Sequence, residues 1–129
     1  MNVDWLEITS TDADWTEIGK DECIKMLSHM HLIRTFEEEL ILLDNQGLVH
    51  GPLHTSVGHE GAMVAAMSVL ETDDLVNGSH RGHHLFLAKS LNYINKANFD
   101  PTTEDFSGDV QELVYRTMAE IMGLTPGFS

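Results

Sequence analysis

A stripe of large apolar side chains at helical spacing constrains the fold of this chain more than any other feature. After Asp21, apolar residues recur every three or four positions, which places them along one side of an α-helix. These residues are Met26, Met30, Ile33, Phe36, Leu40 and Leu43. Asp21 is a suitable N-cap, and Gly47 stands where a helix can end. We predict a long amphipathic helix whose stripe packs into the core.

Residues 61–70 form a second helical segment that is small and apolar on nearly every side. A helix without a polar face must be buried, and we expect another subunit or domain to cover it. The polar residues 71–74 should end this helix, and residues 75–76 provide enough length only for a short strand. A further helix is then expected to begin near His80 or Arg81.

A last helical stripe lies near the end of the sequence. Asp109 and Glu112 resemble a capping box, and the helix should end at Gly123. Its apolar stripe consists of Val110, Leu113, Val114, Met118 and Ile121. Residues 1–20 have no clean period, so we interpret them as an acidic N-terminal arm. Residues 21–129 are expected to form a mainly α structure with at most one or two short strands.

The composition favours a single domain and excludes several classes of function. The 129 residues, of which 42% are hydrophobic, suffice for one core. A formal charge of −14 repels nucleic acid and anionic membrane surfaces. The first twenty residues have neither a basic n-region nor an apolar h-region, and the longest apolar stretches are far short of a membrane span, so we expect a soluble, unsecreted protein. Cys23 is the only cysteine, which excludes an internal disulfide and suits a reducing cytoplasm.

The turn at residues 79–84 combines one arginine with three histidines. The planar guanidinium of Arg81 suits phosphate oxygens, and the amides at a helix N-terminus attract the same anion. The imidazoles of His80, His83 and His84 can donate or accept protons near neutral pH. We therefore expect phosphate or diphosphate binding. One alternative is a surface turn whose histidines only satisfy backbone groups. Another is a zinc site, which the lack of a cysteine cluster and of a HEXXH arrangement disfavours.

His50, His54 and His59 form a second group of histidines around a loop that Gly51 and Gly58 bracket. Glycines permit a close approach of the backbone to a ligand. Ser56 can cap the helix that follows, and Glu60 favours the positive end of its dipole. Because the loop around it is rigid, His54 is the best active-site candidate of this group.

Five segments of the chain occur in the order found in one enzyme family. They are residues 30–40, 51–62, 73–76, 80–84 and 118–123. Together they resemble the opening of the alpha subunit of the decarboxylating component in pyruvate, branched-chain and acetoin dehydrogenases. The resemblance covers about residues 23–124 and leaves out the acidic arm.

The resemblance implies an alpha subunit that pairs with a beta subunit and holds thiamine diphosphate at their interface. Its fold would be the N-terminal part of an α/β thiamine-diphosphate-binding domain. His80 and Arg81 match the positions that contact the diphosphate in that family. His54 matches a histidine that faces the reactive thiazolium, and His83 matches a turn histidine beside it. The resemblance therefore implies that His54 and His83 are catalytic.

Three departures limit what the resemblance carries over. The family has glutamine where this chain has His59, and its segment corresponding to residues 91–109 is much shorter. The sequence also stops at Ser129, before the Gly-Asp-Gly motif that binds magnesium in the family, and the activating glutamate belongs to the beta subunit. We therefore expect no metal ligands in this chain. We also expect no activity without a beta subunit or the remaining alpha-subunit portion, joined in a homo- or hetero-oligomer.

Two other classes of function stay open at this point. One is a non-catalytic interaction or regulatory module that keeps the helical scaffold without the chemistry. The other is a small histidine-based metal-binding protein. A neighbouring reading frame that begins with the missing glycine-rich loop would favour a split enzyme over both.

Overall fold

Helices dominate the computed structural model, which describes residues 7–95 and 106–129. The helices in these residues are α1 (Asp12–Ile18), α2 (Lys20–Asn45), α3 (Glu60–Ser68), α4 (His83–Ile94) and α5 (Gly108–Ile121). The same residues contain no strand, so the prediction of a mainly α structure is confirmed. None of the described helices is both long and apolar enough to cross a membrane.

Helix α2 is the long amphipathic helix that the sequence predicts. It runs for 26 residues, and Ile33, Phe36 and Leu40 of its stripe are buried in the core. Met26 and Met30 are partly buried and pack against the same core from its edge. The apolar stripe therefore decides which side of α2 faces inward.

Helices α3, α4 and α5 complete the core around α2. Helix α4 packs against each of the other three, and its Leu87 and Leu91 have no exposed surface. Val64 of α3 and Val110 of α5 are buried in the same cluster. Full burial of one such side chain contributes roughly 1.5–3 kcal/mol. These contacts fix the start of α4 relative to α2 and α3.

The described part of the predicted arm, residues 7–20, contains a helix that the sequence pattern does not indicate. Helix α1 has no buried residue, so no apolar stripe marks it. Hydrogen bonds at the N-terminus stabilise α1 instead. The amide and the hydroxyl of Thr11 both donate to Asp14 Oδ2 at 2.7 Å. Gly19 then takes the N-cap position of α2, and the assignment of that position to Asp21 is wrong.

The short strand predicted at residues 75–76 is absent. Residues 71–82 form neither helix nor strand, and Leu75 is 98% exposed. A strand needs a neighbouring strand for its backbone hydrogen bonds, and the described residues provide none. A local turn orders the start of this segment, where the Glu71 amide donates to Asp74 Oδ2 at 2.8 Å.

The capping box predicted for α5 is also wrong. The N-cap is Ser107, whose hydroxyl accepts a hydrogen bond from the Val110 amide at 3.4 Å. The helix begins at Gly108, so Asp109 lies in its first turn and not at its cap. The unusually long segment before α5 falls mainly on residues 96–105, which lie outside the described residues.

Helix α3 buries only one of its sides within this chain. Val64 and Met67 are buried in the core, whereas Ala62, Ala65 and Ala66 are exposed. An apolar helix surface of this kind is commonly covered by a partner. The cover expected from another subunit or domain stays a prediction.

His29 is a buried titratable group where α2 meets the end of α4. The residue is 4% exposed, and its Nε2 lies 2.8 Å from Asn95 Nδ2. An amide N–H can only donate, so this contact requires an unprotonated Nε2. Burial lowers the pKa of His29 to about 4, and the charge of Lys25 acts in the same direction while Glu22 opposes it.

We expect acid to destabilise the chain through His29. Its folded-state pKa of about 4 lies below the ordinary 6.5, so the unfolded chain binds the proton first as the pH falls. The stabilising contribution is complete above pH 6.5 and is lost between pH 6.5 and pH 4. The slope reaches at most about 1.4 kcal/mol per pH unit. Urea unfolding at a series of pH values from 4 to 6.5 gives the free energy of unfolding of the wild-type and His29→Gln chains. An equal pH dependence of this free energy in the two chains would contradict the role of His29.

Candidate functional site

A pair of histidines marks the point where the loop between α2 and α3 meets the turn before α4. The rings of His54 and His80 lie 4.5 Å apart between centroids, edge to face. Both side chains are exposed. Helix α4 begins at His83 with Gly82 as its N-cap, so His80 and Arg81 lie just before its first turn, close to the predicted start. The structure thus brings together two residues that the sequence selects from separate motifs.

The two glycines that bracket the loop set its backbone conformation. Gly51 and Gly58 adopt φ angles of 93° and 94°, which side chains other than glycine rarely allow. A Cβ added to either residue would meet no atom within 4 Å. Their contribution in this chain is therefore the left-handed backbone, and a close approach to another segment is not observed among the described residues.

One buried carboxylate of α2 contacts both the loop and α4. Glu37 has no exposed surface, and its Oε2 accepts a hydrogen bond from the Ser56 amide at 2.9 Å. Its Oε1 lies 2.8 Å from His83 Nε2, an ion-pair distance. The two groups do not meet the angular requirement of a hydrogen bond, and neither atom has a hydrogen-bond partner among the described residues. Glu37 therefore links the His54 loop to the predicted catalytic residue His83.

Sequence reasoning misses Glu37, although its position contains a signal. Glu37 follows Ile33 by four residues and precedes Leu40 by three, so it occupies a place on the apolar stripe itself. An acidic residue at such a position indicates a buried carboxylate that needs a partner. The sequence does not reveal which segment supplies that partner.

A second carboxylate holds the end of the loop that enters α3. Arg34 Nε and Nη2 donate to the two oxygens of Glu60 at 2.7 and 3.0 Å, and the Gly58 amide donates to the same group at 3.0 Å. The hydrogen bond from Arg34 lowers the pKa of Glu60 to about 2, while burial opposes it. His59, not Ser56, is the N-cap of α3, so the capping role predicted for Ser56 is wrong.

His84 extends this polar cluster beneath the protein surface. Its side chain is 5% exposed, and its ring lies 6.1 Å from that of His83 and 5.8 Å from that of His59. Burial lowers the pKa of His84, and a charge on His83 would lower it further. A hydrogen bond with the Arg81 backbone acts on the pKa of His84 in the opposite direction. Ser56 Oγ is buried without a hydrogen-bond partner among the described residues. Since buried polar atoms are normally hydrogen-bonded, this hydroxyl can serve a ligand or an ordered water.

Arg81 is the cation nearest to this cluster along the chain. Its side chain is exposed, and it makes no hydrogen bond or ion pair with residues 7–95 or 106–129. The first turn of α4 contains no acidic residue that would compete for it. The guanidinium and the first amides of α4 are therefore open to an anion.

The histidines do not form a metal centre within the described part of the chain. No group of three or more His, Cys, Asp or Glu side chains there is arranged to hold a metal ion. The structure therefore offers no support for a histidine-based metal-binding protein.

Similarity to a known protein exists over part of the chain. Over 82 residues, or 64% of its length, the chain is 30% identical to the alpha subunit of acetoin:2,6-dichlorophenolindophenol oxidoreductase from Cupriavidus necator. It spans about 25% of the length of that protein. No family model and no solved structure matches the chain. The matched protein is, by its name, the alpha subunit of an oxidoreductase.

Replacement of Glu60 should loosen the entry into α3. We expect Glu60→Gln to lower the free energy of unfolding by about 1.5–3 kcal/mol, the scale of hydrogen bonds to charged groups. Because the pKa of Glu60 falls from 4.5 to about 2, its contribution is present above pH 4.5 and is lost as the pH falls toward 2. Urea unfolding at neutral pH measures the loss, and Glu39→Gln, an exposed acid on α2, is the matched control. Equal losses in both variants would refute this role.

Proposed function

We propose that this chain is the N-terminal part of the alpha subunit of a thiamine-diphosphate-dependent 2-oxo acid or acetoin dehydrogenase. The observation that carries the proposal is the contact of His54 with His80, next to an Arg81 that has no partner among the described residues. The 30% identity to an acetoin oxidoreductase alpha subunit supports the same assignment. The alternative of a scaffold without chemistry does not require this juxtaposition.

The residues at the start of α4 fit a diphosphate. In the proposal, Arg81 would bind phosphate oxygens through its planar fork, and His80 would donate a further hydrogen bond. The absence of acidic residues from the first turn of α4 suits an anion. The magnesium ion that accompanies such a diphosphate would take its ligands from the remaining alpha-subunit portion.

His54 and His83 would serve proton transfer in this proposal. Thiamine diphosphate, when bound, supplies the electron sink for oxidative decarboxylation or carbon–carbon cleavage with acyl transfer to lipoamide. His54 is exposed beside His80, where it can meet a substrate. His83 Nε2 lies 2.8 Å from Glu37 Oε1. Imidazoles in such positions can accept and return protons near neutral pH.

Partner chains complete the proposed enzyme. A beta subunit would contribute the glutamate that activates the cofactor, and the assembly would be a homo- or hetero-oligomer. The exposed alanines of α3 provide a surface where a partner can pack. The isolated chain is therefore expected to show no thiamine-diphosphate-dependent decarboxylation.

Replacement of Arg81 tests the cofactor contact. In an assembly restored with a beta subunit and the remaining alpha-subunit portion, Arg81→Ala should weaken thiamine diphosphate binding by roughly 1.5–3 kcal/mol, or about 10- to 150-fold in Kd. Arg81→Lys should recover only part of this, because the fork is lost. Calorimetry measures Kd, with Lys20→Ala as a control that removes an exposed charge elsewhere. If Arg81→Ala binds as tightly as this control, the scaffold interpretation replaces the cofactor interpretation.

The exposed side of α3 should mediate assembly. We expect Ala62→Glu to raise the dissociation constant of the assembly by about tenfold or more, since a charge buried at an apolar contact costs at least about 1.4 kcal/mol. Sedimentation across micromolar concentrations detects the change. Asn45→Glu, at the exposed end of α2, adds the same charge away from α3 and should leave assembly intact. Unchanged assembly of the Ala62→Glu chain would exclude this surface.

A further inference from the structure

The buried carboxylate of Glu37 divides its two oxygens between two different partners. Oε2 accepts the Ser56 amide proton at 2.9 Å, and Oε1 faces His83 Nε2 at 2.8 Å. Both Oε1 and Nε2 are buried, and neither has a hydrogen-bond partner among the described residues. Each of these two buried atoms is therefore the polar group closest at hand to satisfy the other.

The chemistry of these two atoms decides where the proton between them resides. An ionised carboxylate can only accept hydrogen bonds, so a bare Nε2 lone pair would repel Oε1. If the two groups share one proton, it belongs to the imidazole, because imidazole is ordinarily a stronger base than a carboxylate. A small rotation of the ring would then align an N–H···O contact at the observed separation.

We propose that Glu37 is a positioning residue that keeps the ring proton of His83 on Nε2, so that Nδ1 is the basic atom offered to the candidate site. The role of Nδ1 toward a substrate rests on the proposed function, whereas the position of the proton does not. Nε2 is buried against Glu37 while the side chain of His83 is 13% exposed, so in this proposal Nδ1 is the nitrogen left for a ligand. Glu37 thus determines which nitrogen of the His83 imidazole can act as a base.

A proton taken up at this site then has a defined path. It moves from the substrate to the Nδ1 lone pair and converts His83 into an imidazolium, and the electron pair of the broken bond stays on the substrate. The Glu37 carboxylate faces the charge that forms, and the proton returns from Nδ1 to the product. Burial lowers the pKa of the neighbouring His84.

The second oxygen of Glu37 couples this arrangement to the loop. The Ser56 amide that it binds lies two residues beyond His54 in the sequence. The same carboxylate therefore sets the proton of His83 and the position of the segment that carries His54. A residue that only stabilised the fold would not determine which ring nitrogen of His83 carries the proton.

Nitrogen-15 NMR of the whole 129-residue chain tests the proposal without cofactor or partners. At about pH 8.5, well above the ordinary histidine pKa, we expect Nε2 of His83 to resonate as a protonated nitrogen and Nδ1 as an unprotonated one. The spectrum of a His83→Gln chain assigns these signals. This measurement on the wild-type chain stands even if a Glu37 variant fails to fold.

Replacement of Glu37 by glutamine should reverse the pattern. The amide has one acceptor and one donor, so its oxygen can keep the Ser56 amide while its NH₂ group donates to His83 Nε2. The two ring nitrogens should then exchange their chemical-shift positions, with the proton on Nδ1. Glu38→Gln, the exposed neighbour on α2, should leave the wild-type pattern unchanged.

Three results would overturn the proposal. They are a wild-type His83 protonated on Nδ1, a wild-type ring protonated on both nitrogens at that pH, and an unchanged pattern in a folded Glu37→Gln chain. None of them bears on cofactor binding, which the Arg81 variants measure separately. Loss of the thiamine diphosphate assignment would conversely leave the position of the His83 proton untouched.

Discussion

Helix α2 supports the core and the candidate site through the same side of one helix. Ile33 and Leu40 are fully buried there, and Glu37 brings a carboxylate into the same apolar surroundings. Burial of a carboxylate costs several kcal/mol unless hydrogen bonds or an opposite charge offset it. The Ser56 amide donates a hydrogen bond to Oε2, and His83 Nε2 lies 2.8 Å from Oε1. The contacts of one buried carboxyl group therefore connect the loop and the start of α4 to the core.

The overall charge of the chain makes the exposed arginine before α4 informative. The chain has 21 acidic and 7 basic side chains, so possible acidic partners outnumber the cations threefold. Arg34, for example, pairs with Glu60. Arg81 has no such partner among the described residues, and the first turn of α4 lacks acids. Salt screens the repulsion between an anion and the distant acidic side chains. A local positive charge can therefore attract an anion at short range. In the proposed function, this exposed guanidinium and the first amides of α4 would bind the anion.

The sequence predicts the parts of the fold that depend on apolar periodicity. The stripe of α2 and the apolar character of α3 are found as expected, because burial of such side chains is the dominant stabilising term. Helix α1 is not predictable in this way, since it has no buried residue and depends on one Thr11–Asp14 hydrogen-bonding turn. The partners of Glu37 are beyond sequence reasoning for another reason. They belong to distant segments, and only the packed structure brings these segments within 3 Å or so of each other.

The two carboxylates that hold the loop differ in the chemistry of their partners. Glu60 faces Arg34, which stays protonated at every physiological pH, so that end of the loop is held by a constant charge pair. Glu37 faces the imidazole of His83 through Oε1 and the Ser56 amide through Oε2. In the proposed role of His83 as a base, the charge that forms on the ring would alter the field at Oε2 and the strength of its bond to the Ser56 amide. The arrangement anchors the loop firmly where it enters α3 and leaves its other anchor sensitive to the chemistry of the site.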